Sequence, residues 1–163
     1  KKKALRDMGG TLSSDGAYQL AVGAETIALR MDRQCANAAA LAALLAQHDK
    51  VEAVYYPGLA SHPQHDRARR WFRSFGAILS FDLKAPYDCA ALLDDMALVI
   101  NATHLGDNRT LALPMASTIF YEMGPENRAA LGIGDRMIRC SVGIEDPEDL
   151  LSCFAEALAR LTP

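Results

Sequence analysis

The stretch from Met137 to Leu161 constrains the fold more than any other. "MIRCSVG", Met137 to Gly143, reads as a strand, and "EDPEDLLSCFAEALARL" follows it at once as a helix. Asp146 stands at the N-cap. Pro147 takes the first helical position, where a missing N–H costs nothing, and Leu150, Phe154, Leu158 and Leu161 recur on one face. A strand joined this tightly to an amphipathic helix predicts a layer of helix on sheet.

The same alternation runs through the rest of the chain. Val51 to Tyr56 is a short β-branched and aromatic strand ended by Pro57-Gly58, and Pro63 opens a helix reaching about Phe75, with Ser61 or His62 as its cap. Gly76 to Lys84 sets Ile78, Ser80 and Asp82 against Leu79, Phe81 and Leu83, the period of a half-buried strand. Asp88 to Met96 reads as a helix, Leu98 to Ala102 as a strand and Pro125 to Leu131 as a short helix. Thr103 to Gly124 has poor periodicity and dense turn chemistry, and reads as a long loop of the kind that carries function. Ahead of all these, Ser13 or Ser14 caps a long amphipathic helix whose stripe includes Ala17, Leu20, Ala28, Cys35, Ala42 and Leu45, with a kink near Gly23. Its alanines suit close packing against another domain or subunit.

These elements predict an α+β fold, a small sheet covered by helices on one face. Residues 1–48 form an N-terminal segment and connecting helix, and residues 49–163 a small α+β domain. Lys1 to Gly10 has no initiator methionine and no structural signal, so the chain is expected to be part of a larger protein. A net charge of -3 and a pI near 5.8 give no basic field for nucleic acid or an anionic membrane surface. The Lys1, Lys2, Lys3 run reads as a solvated terminus. With no apolar stretch near the roughly 20 residues of a membrane span and no signal peptide pattern, the expected address is cytoplasmic. Cys35, Cys89, Cys140 and Cys153 show no C-x-x-C spacing and read as reduced core thiols.

Few residues point to chemistry. His62 and His65, beside Asp66, lack the third and fourth ligands of a zinc site, so no metal is expected and the corner reads as architecture. Arg139 is sharper, because the strand period places Met137, Arg139 and Ser141 opposite Ile138, Cys140 and Val142. A guanidinium on an apolar strand needs a carboxylate, supplied either by a ligand or by an internal Asp or Glu. His104 lies in the long loop with Thr103, Ser117 and Thr118, whose hydroxyls either orient a small polar ligand or satisfy turn backbone. No dinucleotide, Walker, nucleophile-elbow or H-E-x-x-H motif is present.

"YYPGLASHPQH", "FGAILSFDL", "LGDNRTL" and "IRCSVGIEDPEDL", together with "LRMDRQCANA", resemble the C-terminal domain of the Cys/Met metabolism (trans-sulfuration) family of pyridoxal-phosphate enzymes. That family includes cystathionine gamma-synthases and gamma-lyases, methionine gamma-lyase and homoserine-ester sulfhydrylases. The resemblance implies the small C-terminal domain of an aspartate-aminotransferase-type (fold type I) enzyme, a homotetramer when complete, acting on cystathionine, methionine or acyl-homoserine. It assigns Arg139 to the substrate α-carboxylate, with His104, Thr103 and Thr118 shaping the site beside it, and it makes the His62 and His65 corner architectural. His104 stands where most relatives carry serine, and Thr103 where relatives carry glutamate, valine or tyrosine, so the choice between elimination and replacement stays open. Lysine occurs only at positions 1, 2, 3, 50 and 84, none in the family's Schiff-base loop. Pyridoxal phosphate is therefore expected to be bound mainly by an upstream domain absent from this chain, and the chain alone to be inactive. The alternative is a stand-alone α+β ligand-binding or oligomerisation module without catalysis.

Overall fold

The structure, a computed structural model, describes Met8 and residues 10–163, so the Lys1 to Lys3 triplet lies outside the described residues. The chain divides into two units, Lys1–Arg30 and Met31–Pro163. In the first, helix α1 spans Ser14–Glu25, and the Ser13 hydroxyl accepts the Gly16 N–H at 3.1 Å as its N-cap. No α1 residue is buried, and Tyr18, Leu20 and Val22 are exposed. The expected kink at Gly23 is displaced. Gly23 lies within α1, and the break falls at Thr26 (φ -103°, ψ 7°), whose N–H turns back to the Ala24 carbonyl. One glycine costs a helix only about 1 kcal/mol, which neighbouring helical residues absorb.

Helix α2, Ile27–Ala46, buries Gln34, Cys35, Asn37, Ala38, Leu41, Ala42 and Leu45 along its later turns. Beyond it come β1 (Val51–Tyr55), α3 (His65–Trp71), β2 (Ile78–Leu83), α4 (Cys89–Asp94), β3 (Ile100–Asn101), β4 (Leu111–Pro114), α5 (Pro125–Ala130), β5 (Met137–Ser141) and α6 (Pro147–Arg160). Helix α3 is shorter than the sequence suggests and starts after a run of turns. Gln64 precedes it without a side-chain cap, so neither Ser61 nor His62 serves that role.

The strands form one sheet in the order β1-β2-β5-β4-β3, antiparallel except for the β3/β4 pair. β4 was hidden within the stretch read as loop. All four of its residues are buried, which erases the period-2 signal by which a half-exposed strand is recognised. One sheet face presents Leu79, Phe81, Leu83, Ala112, Ile138 and Cys140 to a core shared with α2, α4 and α6. Phe81 and Phe154 are wholly buried there, and each contributes roughly 1.5–3 kcal/mol.

The ends of α6 are both tied. The Asp146 carboxylate accepts the Glu148 N–H at 2.9 Å, as its place in the sequence requires. At the other end the Lys50 ammonium donates to the carbonyls of Leu158 (2.6 Å), Ala159 (3.1 Å) and Leu161 (2.8 Å) and stands 5.4 Å from the Tyr87 ring centroid. A cation at a helix C-terminus satisfies orphan carbonyls and opposes their dipole.

Candidate functional site

The second sheet face carries a row of polar side chains. Register places Ser80 of β2, Arg139 of β5 and Leu113 of β4 side by side, with Ser141 and Asp82 on flanking rows of the same face. The four cysteines are free, and three of them are buried.

Arg139 is half-buried, and its Nη2 donates to the Thr103 carbonyl at 2.9 Å. Its Nε is buried without a hydrogen-bond partner, and no Asp or Glu among the described residues bonds it. Burial lowers the guanidinium's pKa, yet arginine stays charged at any physiological pH. The acid nearest in register, Asp82, accepts the Tyr55 hydroxyl on Oδ2 at 2.7 Å, and its buried Oδ1 makes no hydrogen bond to Arg139. A partly desolvated cation with donors to spare is suited to an anion arriving from outside this chain.

The loop between β3 and β4 brings Thr103 to Arg139. His104, its neighbour, is exposed. Gly106, at φ +76°, adopts a backbone that side chains disfavour, and its N–H donates to the Ser141 hydroxyl at 2.9 Å. Gln34 Nε2 donates to the Asp107 carbonyl at 2.7 Å, and the Ile144 N–H reaches the Asn108 carbonyl at 2.8 Å. Asp107 itself pairs with exposed Arg109 at 3.2 Å, and that hydrogen-bonded guanidinium holds its carboxyl down at about 2. Where the loop enters β4, Thr110 gives its N–H and its hydroxyl (2.8 Å) to the Glu145 carboxylate, while Gly143 N–H donates to the Thr110 hydroxyl at 2.9 Å. Asn37, also buried, donates to the carbonyls of Gly143 (3.1 Å) and Glu145 (2.9 Å).

Of the four residues singled out in the sequence, Arg139 and Thr103 meet directly and His104 sits next to them in the chain. Thr118 lies in the turn after β4, where its hydroxyl donates to the Pro114 carbonyl rather than to any of these three. Ser117 lines a separate cleft with Tyr121, Glu122 and Arg128. His62 and His65 build the corner after β1. His62 Nδ1 accepts the Gln64 N–H at 3.2 Å, and His65 pairs with the Pro57 carbonyl at 2.8 Å and stacks on Phe75.

Sequence reasoning missed Gln34, Thr110, Ser141 and Glu145, the side chains that hold the loop, and Asn37, which holds the turn after β5. Two amides at i, i+3 beside an apolar helical stripe were the available signal. Adjacent to the loop, a cleft of about 450 Å³ is lined by Met31, Gln34, Phe75, Ile78, Leu105 and Ser141, among others.

A model of the family described as "Cys/Met metabolism PLP-dependent enzyme" matches residues 1–159. The chain is 44% identical over 158 residues to an O-succinylhomoserine sulfhydrylase of Pseudomonas aeruginosa, covering 96% of this chain and 39% of that protein. It is 38% identical to an L-methionine gamma-lyase of Fusobacterium nucleatum subsp. polymorphum, over 96% of this chain and 40% of the relative. Among solved structures, cystathionine gamma-lyase from Lactobacillus plantarum complexed with L-serine superposes with a TM-score of 0.88 at 29% identity, covering 95% of this chain and 41% of that one. Cystathionine gamma synthase from Xanthomonas oryzae pv. oryzae, in complex with cystathionine, gives 0.78 at 40% identity, covering 83% and 35%. The chain thus spans about two fifths of the length of the curated relatives it matches.

Proposed function

The chain belongs to the Cys/Met metabolism family of PLP-dependent enzymes, and from that premise we propose that it is the C-terminal part of an enzyme acting on carbon–sulfur bonds. The substrate would be cystathionine, methionine or an acyl-homoserine, transformed by γ-elimination, γ-replacement or related chemistry. Arg139 binds the α-carboxylate and so fixes which face of the amino acid meets the cofactor; Thr103, His104 and Thr118 shape the space beside it. The observation that carries this reading is the guanidinium itself, partly buried, bonded only to a loop carbonyl among the described residues, with Nε unpartnered. The names of the relatives support the substrate class.

Pyridoxal phosphate is the family's cofactor. The described lysines do not fit its imine-forming role. Lys50 is bound to three carbonyls, and Lys84 is exposed just beyond β2. On this reading the cofactor is held mainly by residues outside these 163, in an upstream domain to which residues 1–48 connect the small domain of residues 49–163, and this chain alone is inactive. Assembly as a homotetramer in the cytoplasm completes the reading; the exposed Tyr18, Leu20 and Val22 on α1 are apolar surface suited to such packing.

Steady-state assays of the full-length enzyme test it. Arg139→Ala should raise KM for the amino-acid substrate and lower kcat/KM by roughly 10²–10⁴, the scale of losing a positioning ion pair. An unchanged kcat/KM removes the anchor role. A full-length protein that takes up no pyridoxal phosphate would favour a non-catalytic α+β module instead.

A further inference from the structure

Arg139 orients a ligand only as well as its own surroundings hold it, and the group it touches, the Thr103 carbonyl, belongs to a largely exposed loop. Thr103, His104, Leu105 and Gly106 are all exposed, and Leu105 leaves 53% of its surface open. Few apolar contacts fix such a segment, so its position depends on hydrogen bonds to neighbouring elements. Two of these come from the sheet side: the Ser141 hydroxyl accepts the Gly106 N–H, and the Ile144 N–H donates to Asn108.

The third comes from a different element. Gln34 is 3% exposed, projects from α2, and donates Nε2 to the Asp107 carbonyl at 2.7 Å. One helical turn on, Asn37 grips the carbonyls of Gly143 and Glu145, just beyond β5. Helix α2 therefore holds both the strand end that follows Arg139 and the loop that meets its guanidinium. Asn37 fixes the helix to the sheet, and Gln34 transmits that fixed position to the loop. A desolvated amide donor makes a directional bond, and losing it would loosen the loop at Asp107, between its sheet-side ties at Gly106 and Asn108, and so shift the Thr103 carbonyl that Arg139 meets.

We propose that Gln34 is a positioning residue for the substrate carboxylate, acting through the 103–107 loop on the Arg139 guanidinium. The proposal rests on the reading of Arg139 given above. It implies that Gln34 governs discrimination for the carboxylate rather than cofactor binding.

The test uses the full-length holoenzyme and two ligands, the amino-acid substrate and the corresponding amine that lacks the α-carboxylate. Gln34→Met keeps the volume and removes the donor; Gln34→His restores an N–H within similar reach. Expected for Gln34→Met is a rise of about tenfold in KM for the amino acid, the scale of one hydrogen bond. The amine's inhibition constant and the visible absorbance of bound cofactor should stay at their wild-type values, Tm should fall only by the few degrees that one lost hydrogen bond costs, and Gln34→His should recover most of the loss in KM. Equal weakening of amino acid and amine, or a KM unchanged in Gln34→Met, overturns the proposal. Arg139→Ala in the same assay separates the two claims: if it too leaves the amino acid's KM unchanged, the carboxylate-anchor reading falls; if it alone raises KM, only the role of Gln34 falls.

Discussion

Gly143 and Asn108 approach so closely that a Cβ on Gly143 would stand 2.4 Å from the Asn108 carbonyl oxygen. The same added atom would meet the Arg109 carbonyl carbon and a Glu145 carboxylate oxygen at 2.5 Å. Two of these three neighbours are backbone and cannot rotate away. The turn after β5 and the loop before β4 are therefore packed main chain on main chain, and glycine is required there for space. Gly143→Ala should destabilise the fold by about 1–3 kcal/mol, the usual cost of overpacking. Gly23→Ala, where nothing lies within 4 Å of the added methyl inside α1, should be neutral or stabilising by up to about 1 kcal/mol. Urea unfolding of both variants checks the contrast, and a neutral Gly143→Ala would show that the loop yields freely.

Thr110 makes the polar half of the same junction. It is completely buried, and its hydroxyl both accepts from Gly143 N–H and donates to Glu145. Thr110→Val keeps the shape and removes both bonds. The Gly143 N–H then loses its partner in a place water does not reach, so a loss of about 1–3 kcal/mol is expected. An unfolding midpoint equal to wild type would mean that the backbone finds another acceptor.

Alkali should unfold the chain before ordinary cysteine and tyrosine chemistry alone would suggest. Burial pushes the thiols of Cys89 and Cys140 from 9.0 up to about 12, and burial does the same to the Tyr56 hydroxyl, from 10.0 to about 12. Each group stays protonated in the folded chain while its unfolded counterpart has already lost the proton. The unfolded state then binds fewer protons, so stability falls as pH rises. The contribution is intact below about pH 9 and is lost between there and about pH 12, by about 1.4 kcal/mol per pH unit for each group titrating only in the unfolded chain. Urea midpoints measured from pH 8 to 11 should be flat at first and then decline, and Cys89→Ala with Cys140→Ala should shallow the decline. A midpoint constant to pH 11 would contradict the burial of these groups.

The legible parts of the fold were those written in short-range patterns. The β5 to α6 unit was readable because strand period, the Asp146 cap and Pro147 are all local. β4 was not, since Leu111 to Pro114 is buried on both faces and presents no alternation. The site divides the same way. Arg139 could be placed on the correct face from strand period alone, but its bond to Thr103 joins residues 36 apart in the chain, and no spacing rule predicts it. The amides of Gln34 and Asn37 were lost within an apolar stripe because helical periodicity records which face is buried and is silent on what a buried polar group holds.

Lys50 provides the last prediction, because it separates a structural lysine from a cofactor lysine. Its ammonium is committed to the carbonyls of Leu158, Ala159 and Leu161 at the end of α6, next to the Tyr87 ring. Lys50→Met should therefore lower stability by about 1.5–3 kcal/mol, the range for hydrogen bonds to a charged group, with the last turn of α6 fraying first in hydrogen exchange. Borohydride reduction of the full-length enzyme loaded with pyridoxal phosphate, followed by peptide mapping, should leave the Lys50 and Lys84 peptides unmodified and place the phosphopyridoxyl group on a peptide outside these 163 residues. Lys50→Met should keep that labelling unchanged. A phosphopyridoxyl group on Lys50 would mean that the contacts at the end of α6 are given up when cofactor binds, and the assignment of the cofactor to an upstream domain would fall with them.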